Sequence, residues 1–564
     1  MRSSAILMSL GVFLAILSFC TTAWAVTKKD VVDAVRRNEA GQIANTQKLV
    51  QIEAYNQVGV DYVGPFPAQG VADSLTYVME LAEGMGFKTV LHNGWDEMEN
   101  VRGPLYGYVE YGPKDAPEMI MSLAHLDTVP PGEASLWTLG GAYEAKIVTV
   151  DGEERMIGRG VYDDKGPALA SLYALKAIKD ADVPLTRRIR VFFGTTEDYG
   201  GWRCVAAYAA EATAGREEWP ALGFSPDSGS FQPTYIEKSS VNVVAQNPIA
   251  AAAGSVRLVK LQGGTAGNAV SDKCVTTLEG TTKELTAVKA AMETAIAEKG
   301  WHDGNLPIAF TLADGRLDID VTGVPTHSGV AWEGIGANNR MMYLLSRAPI
   351  DTDWRDIAEK VTVLLPPDED EEKMGEALGI HEGGTEHHDL VTVNMGFVWL
   401  DDNDGDGVGD TIRITANIRY ADRGADILTG TKHRSGEEIR RIVTEKFAAK
   451  GLEATVTGGG YPYTVPMDSE IIVKLQKSYE EITGAAVTPC ITMGGTYAAA
   501  WRNSRLSGDG DETFGNRMVS WGIDGGIGMH EANESMSIPK LIEATEIMAL
   551  AMISLAGGTL DVEP

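Results

Sequence analysis

The sequence predicts an α/β fold in which a doubly wound layer is interrupted by a separate α+β domain. Residues 119–124 and 188–193 are continuous apolar runs of strand length, and residues 166–181 between them have apolar residues at helical spacing. Strand, helix and strand in this order are typical of a parallel sheet covered by helices. The α/β pattern appears again near the C terminus, where a Gly-rich segment ending at Met529 precedes an apolar helical pattern that begins near Pro539.

Periodicity supplies the other elements. Residues 30–55 and 71–84 have the spacing of amphipathic helices. From about residue 242 to 457 the pattern changes, with alternating strands such as 412–418 and separate helices such as 284–299. We therefore expect an inserted α+β domain in this part of the chain.

Length and charge exclude several classes of protein. The chain has 564 residues, enough for two or three domains, and 44% of them are hydrophobic, which places it outside the disordered, collagenous and coiled-coil classes. Its 48 Lys+Arg against 79 Asp+Glu give a net charge of −31. Such a surface repels nucleic acid and anionic lipid, so we expect neither as a partner.

The first residues have the features of an export signal. Arg2, an apolar stretch over residues 5–19 and a small-x-small site at residues 23–25 predict a signal peptide over 1–25, and hence a periplasmic or extracellular protein without a membrane span. Bulky Phe19 before Cys20 disfavours a lipid anchor. An odd number of cysteines then remains, which excludes a fully paired disulfide framework: Cys204, Cys274 and Cys490.

Acidic and histidine residues follow successive predicted strands, where ligand sites of α/β sheets form. Taken singly, each has a structural explanation, as a helix N-cap for the acids at 163 and 164 or as a solvated loop charge. Together, their imidazoles and carboxylates suit zinc, manganese or cobalt and predict a two-metal hydrolase. The residues are His125 with Asp127, Asp163 with Asp164, Glu197 with Asp198, Asp227, and His530.

These motifs together resemble the M20 metallopeptidases, most closely the branch that contains the PepV-type dipeptidases and carnosinases. The resemblance covers most of the chain after residue 25. It implies a phosphorylase/hydrolase-like catalytic domain over 26–240 and 460–564, with an inserted lid domain over 241–459. It also implies hydrolysis of dipeptides or short peptides by a monomer or homodimer.

The same resemblance implies a role for each motif. One metal would be held by His125, Asp163 and Asp227, and the other by Asp163, Asp198 and His530, with a cis peptide after residue 163. Zinc is the first choice of metal, and manganese or cobalt are alternatives. Asp127 would orient the site, and Glu197 would be the general base that takes a proton from metal-bound water.

The lid domain and the C-terminal part would bind substrate. His327 in a Pro-Thr-His-Ser motif resembles the histidine that stabilises the oxyanion, and Arg419 resembles the arginine that pairs with a substrate carboxylate. The N–H groups of the Gly494-Gly495-Thr496 loop would hold the same carboxylate. Asp198 and Ala499 stand where the family commonly has Glu and Arg.

Two other functions remain open from the sequence. One is a metal-dependent amidohydrolase that removes acyl or carbamoyl groups from amino acids, and the other is a non-catalytic exported protein that binds metal or calcium. Residues 402–410 are rich in Asp and Gly and are a candidate calcium site. A standard EF-hand is excluded because Arg413 stands where a bidentate Glu is needed, and a polar hairpin turn is the alternative.

Overall fold

The structure is a computed structural model that describes residues 26–56, 67–96, 101–198, 201–249, 256–264, 266–301, 306–367, 375, 377–380, 391–402, 409–420, 436–460, 462–492, 494–509 and 517–561. The signal peptide with Cys20, and residues 403–408 of the candidate calcium loop, lie outside the described residues. Within them, no helix combines the length and apolar character needed to cross a membrane.

Helices and strands alternate through the first part of the chain and return at its end. The helices are α1 (Lys28–Val50), α2 (Gln69–Gly84), α3 (Lys165–Asp180), α4 (Arg203–Thr213), α5 (Thr282–Lys299), α6 (Ala337–Ser346), α7 (Asp353–Leu364), α8 (Gly436–Ala449), α9 (Glu470–Thr483), α10 (Tyr497–Asp509) and α11 (Ile538–Leu555). The strands are β1 (Lys88–Asp96), β2 (Val101–Tyr111), β3 (Met119–His125), β4 (Lys146–Val150), β5 (Glu153–Ile157), β6 (Arg188–Gly194), β7 (Leu222–Ser225), β8 (Thr234–Glu237), β9 (Ser239–Pro248), β10 (Arg257–Gly263), β11 (Lys273–Glu279), β12 (Ile308–Ala313), β13 (Arg316–Thr322), β14 (Thr392–Asp401), β15 (Thr411–Tyr420), β16 (Ala454–Gly458), β17 (Tyr463–Thr464), β18 (Cys490–Thr492), β19 (Met518–Ser520), β20 (Gly526–Ile527) and β21 (Ser535–Ser537).

The first core surrounds a six-stranded sheet of order β1-β2-β6-β3-β7-β19, in which β6, β3, β7 and β19 run parallel. Helices cover both of its faces. Ser122 of β3 hydrogen-bonds Ser171 of α3 at 3.0 Å on one face. On the other face Phe192 of β6 packs its ring against Trp501 of α10, with centroids 6.4 Å apart. The predicted doubly wound α/β architecture is confirmed.

A second core lies under an eight-stranded antiparallel sheet of order β12-β13-β11-β10-β14-β15-β9-β16. Its strands alternate buried and less buried residues, as β13 does, because one face packs on helices and the other meets solvent. This is the α+β layer expected between the two parts of the α/β layer. The boundaries at residues 240 and 460 stay a prediction.

Strand register brings the chemistry-bearing loops to one edge of the first sheet. His125, the last residue of β3, pairs with Gly194, the last residue of β6. Ser122 pairs with Phe224 of β7, so Asp227 follows at the same edge. Because these strands are parallel, their carboxyl ends meet and the side chains that follow them converge.

The described cysteines form no disulfide. Cys204, Cys274 and Cys490 are all free thiols, and the first two are buried. Cys204 Sγ lies 2.9 Å from the Tyr497 hydroxyl, where it acts as a small packed polar group beneath the site.

We expect Trp501→Ala to lower the free energy of unfolding by about 3–5 kcal/mol, because the indole is fully buried and packs 4.8 Å from the Tyr208 ring. Urea unfolding followed by far-UV circular dichroism measures this change. Leu136→Ala is the control, since that side chain is 59% exposed, and should change the value by less than about 0.5 kcal/mol. Equal effects of the two exchanges would contradict the assignment of Trp501 to the core.

Candidate metal centre

His125 is fully buried at the end of β3, and its two ring nitrogens contact different groups. Nδ1 lies 2.9 Å from the backbone carbonyl oxygen of Asp127, which can only accept a hydrogen bond. This contact requires a proton on Nδ1, and Nε2 lies 3.0 Å from Asp163 Oδ1. The Asp127 backbone carbonyl therefore orients this imidazole, and the Asp127 carboxylate oxygen Oδ1 lies 3.6 Å from the same nitrogen.

Asp163 lies between the two histidines. Its Oδ1 faces His125, and its Oδ2 is 2.8 Å from Nε2 of His530. Burial raises the pKa of Asp163, but hydrogen bonds from both imidazoles outweigh this and hold it well below its usual range. The peptide bond between Asp163 and Asp164 is cis, as the resemblance implies. One carboxylate thus presents one oxygen to each half of the cluster.

The remaining acids complete two overlapping groups. Asp198 Oδ1 lies 3.0 Å from His530 Nε2, and Asp227 Oδ2 lies 3.9 Å from His125 Nε2. Ligand atoms of His125, Asp163 and Asp198 all lie within 4.8 Å of one another, as do those of His125, Glu197 and Asp227. The structure therefore brings together all five residues that the sequence predicts as ligands.

Glu197 is held by contacts to its main chain and its side chain. Its N–H donates to Asp127 Oδ1 at 2.9 Å, and its Oε1 accepts from the Trp202 indole at 3.3 Å. Asp127 is in turn contacted by Asn56 Nδ2, which also donates to the Thr195 carbonyl at 2.8 Å. Asp127 therefore orients the backbone that carries Glu197.

The donor chemistry of this cluster fits divalent cations. Asp198 Oδ2 and Asp164 Oδ1 are buried and meet no hydrogen-bond donor among the described residues. Burial and the charge of Asp227 raise the pKa of Glu197 well above its usual range, and burial and Asp163 raise the pKa of Asp227 to about 7. So many buried acids repel one another, and divalent cations bound by imidazole and carboxylate would offset that repulsion.

His327 lies outside this cluster, just before a short 3-10 helix in the second layer. The Gly329 N–H donates to its Nδ1 at 3.2 Å, so the ring proton lies on Nε2. Burial, together with the charges of Arg419 and His530, lowers the pKa of His327 to about 4. The imidazole is neutral at neutral pH and still has an N–H to donate.

A cavity of about 760 Å³ adjoins the site and is lined by Arg419, Gly495, Ala499, Trp202 and residues of β9 and its neighbours. Arg419 is nearly buried, and its Nε donates to Asn417 Oδ1 at 2.8 Å. The volume lies within the range of about 300–1,000 Å³ that is typical of small-ligand sites. Gly495 has to be small, because a Cβ there would lie 2.8 Å from the Trp202 ring.

Thr496 has a different partner from the one the resemblance implies. Its N–H donates to Glu237 Oε1 and its hydroxyl to Glu237 Oε2. Glu237 is fully buried at the end of β8, and burial raises its pKa to about 8. An internal carboxyl group therefore occupies the donors of Thr496 in this structure.

Sequence reasoning assigned no role to four residues that support the site: Asn56, Trp202, Glu237 and Glu534. Glu534 stands four residues after the candidate ligand His530. An acidic residue so close to a candidate ligand is the available sequence signal for it. Asn56 and Glu237 carry no local signal, since their partners are distant in the chain, whereas Trp202 stands only five residues after Glu197.

The sequence profile of peptidase family M20/M25/M40 matches residues 121–554. A Bacillus subtilis (strain 168) protein described as "Putative dipeptidase YtjP" is 28% identical, over 93% of this chain and 99% of that protein. The Beta-Ala-Xaa dipeptidase of Lactobacillus delbrueckii subsp. lactis is 27% identical, over 86% of this chain and 90% of its own.

Solved structures show the same fold. Human carnosine dipeptidase 1 superposes with a TM-score of 0.54 at 13% sequence identity, covering 94% of this chain and 99% of that chain. The profile match includes the strand that ends at His125, the shared Asp163 and the segment of His530. The chain belongs to peptidase family M20/M25/M40.

Proposed function

We propose that this protein is a two-metal peptidase that hydrolyses dipeptides or short peptides. The observation that carries the proposal is the Asp163 carboxylate, which presents one oxygen to His125 and the other to His530. Such an arrangement suits a pair of cations that share one ligand. The dipeptidase descriptions of the relatives support a peptide as substrate.

The metal-holding residues are assigned as the family resemblance implies, and the contacts of Asp227 with His125 and of Asp163 and Asp198 with His530 support the assignment. We assign His125, Asp163 and Asp227 to one ion, and Asp163, Asp198 and His530 to the other. When bound, divalent ions supply Lewis acidity at the scissile carbonyl and lower the pKa of water. Zinc is our first choice of metal because the imidazole and carboxylate groups of this cluster are common zinc ligands. Manganese and cobalt bind the same groups.

Glu197 moves the proton. Its carboxylate accepts the proton of the attacking water and then gives it to the nitrogen of the leaving amine. Asp127 holds the Glu197 backbone and the Trp202 indole holds Oε1, so the carboxylate keeps one orientation. Burial and the neighbouring acids raise the pKa of Glu197, which makes its carboxylate a stronger proton acceptor.

His327 and Arg419 bind the substrate. The Nε2–H of His327 donates a hydrogen bond to the oxygen on which negative charge develops, a contribution of about 3 kcal/mol to transition-state stability. Arg419, on the wall of the cavity, pairs with the C-terminal carboxylate of a peptide. Export is part of the same proposal and rests on the pattern of residues 1–25.

Removal of metal should abolish hydrolysis, and its return should restore it. The measurement is hydrolysis of a mixed dipeptide panel after chelator treatment, and again after addition of zinc, manganese or cobalt. N-acyl amino acids form the comparison panel. Loss and recovery of dipeptide hydrolysis would support a metal-dependent peptidase, whereas hydrolysis of the acyl compounds alone would establish an amidohydrolase instead.

Glu197→Gln should lower kcat by about 10²–10⁴-fold, because the amide cannot accept the proton of water. Metal content, measured by elemental analysis, should stay that of the parent protein. Glu211→Gln is the control, since Glu211 lies on α4 and pairs with Arg216 at 2.6 Å, away from the cluster. Full turnover by Glu197→Gln would rule out the assigned proton transfer.

Arg419→Met should lower kcat/KM for dipeptides by roughly 30-fold or more, because a buried charged partner of the substrate carboxylate is lost. C-terminally amidated dipeptides should be affected far less. Arg413→Met, on the same strand and paired with Asp401 at 2.7 Å, is the control. An equal loss on both substrate types would show that Arg419 does not recognise the carboxylate.

A further inference from the structure

Glu534 links two ligand-bearing segments that are far apart in the chain. It is fully buried directly before β21 and accepts hydrogen bonds through both carboxylate oxygens. Oε2 accepts from Arg159 Nη1 at 2.6 Å and from the Gly160 N–H at 3.1 Å. Oε1 accepts from the N–H groups of Tyr162 at 3.0 Å and Asp163 at 3.2 Å. Four donors on one short segment therefore converge on one carboxylate.

The backbone makes a further link between the same segments. The Gly158 N–H donates to the Glu534 carbonyl oxygen at 3.0 Å. The segment of residues 158–163 ends at the shared Asp163, and residues 530–534 begin at His530. The side chains of Asp163 and His530 lie 2.8 Å apart. Glu534 contacts one of these segments and belongs to the other, so it links the two parts of the cluster.

The surroundings of the carboxylate leave little freedom for another arrangement. A Cβ at Gly160, which has a φ of 84°, would lie 2.6 Å from the Thr128 side chain. Arg159 is 2% exposed and lies over the Trp137 ring at 5.5 Å. Burial raises the pKa of Glu534 to about 7, and the charge of Arg159 opposes this rise. The short contact from Arg159 Nη1 to Oε2, at 2.6 Å, holds the carboxylate in this orientation.

We propose that Glu534 is a positioning residue that sets the metal affinity of the site without being a ligand. It acts through the Asp163 N–H, which fixes the shared carboxylate between the two histidines. Both oxygens of Glu534 are already occupied by donors, so neither is left to bind an ion. The inference rests on the proposed metal site and adds a residue that the sequence motifs did not assign.

The test is the affinity of the whole protein for Zn²⁺ and Co²⁺ in the Glu534→Gln variant. Each carboxylate oxygen accepts two of the four hydrogen bonds, so the NH2 group of the amide turns two of them into donor–donor contacts. We expect metal binding to weaken by about 10–100-fold, the range known for groups that orient ligands. Competition with a chromophoric chelator measures it, and the visible spectrum of the Co²⁺ form reports altered geometry.

Glu546→Gln is the matched control. Glu546 is a buried carboxylate on α11 that pairs with the half-exposed Arg36, so the same exchange removes an ion pair away from the metal site. We expect a lower melting temperature for this variant and unchanged metal affinity. A purely structural role of Glu534 would produce this same result for Glu534→Gln.

Each outcome bears on the inference. Parent-like metal affinity and Co²⁺ spectrum in Glu534→Gln would overturn the role of Glu534 and leave the proposed function intact. A parent protein that binds neither ion would overturn both. If Glu534→Gln does not fold, Arg159→Lys replaces it, since that exchange keeps the charge but shortens the donor. Weaker metal binding by Arg159→Lys supports the inference, and unchanged binding overturns it.

Discussion

Mutual repulsion among carboxylates at one edge of the first sheet is the constraint on which the rest of the site depends. Asp163, Asp164, Glu197, Asp198 and Asp227 converge there with only two imidazoles among them. In a poorly solvated site such like charges raise one another's pKa values, as they do for Glu197 and Asp227. The arrangement is stable only where cations or strong donors compensate, and this links the fold of the site to metal chemistry.

The fold brings these acids together from three separate segments, which lie before α3, after β6 and after β7. Parallel strands end at the same edge, so β3, β6 and β7 deliver their loops together. Around them lies a set of fixed partners: the Asp127 carbonyl for His125, Asn56 for Asp127, and Glu534 for the Asp163 backbone. These contacts involve atoms other than the ligating ones, such as Nδ1 of His125 and the N–H of Asp163. The ligating atoms therefore stay directed into the cluster.

The cavity beside the cluster has a different lining from the acidic cluster itself. Glycines, Ala499 and a single indole ring form much of the cavity wall, and Arg419 supplies a positive charge in a chain whose net charge is −31. Glu237 accepts hydrogen bonds from the N–H and the hydroxyl of Thr496, in the loop that the family resemblance assigns to a substrate carboxylate. Lys238 lines the same cavity, so two cationic side chains lie on its wall, and Arg419 is the one that we propose to pair with a substrate carboxylate.

The sequence by itself determined the α/β class, the inserted α+β layer and the identity of the ligand candidates. It could do so because strand and helix periodicities are local, and because acids directly after apolar strands mark a sheet edge. Boundaries were less accurate: the first helix ends at Val50, while its periodic pattern continues to residue 55.

Only the tertiary structure decided how those candidates are held. Glu237 and Thr496 are 259 residues apart, and Glu534 and Asp163 are 371 apart, so no local pattern records their pairing. The backbone carbonyl that orients His125 is likewise invisible in a sequence, since every residue has one. Ligand types depend on side-chain chemistry, which the sequence states, but ligand orientation depends on contacts between distant segments, which form only when the chain folds.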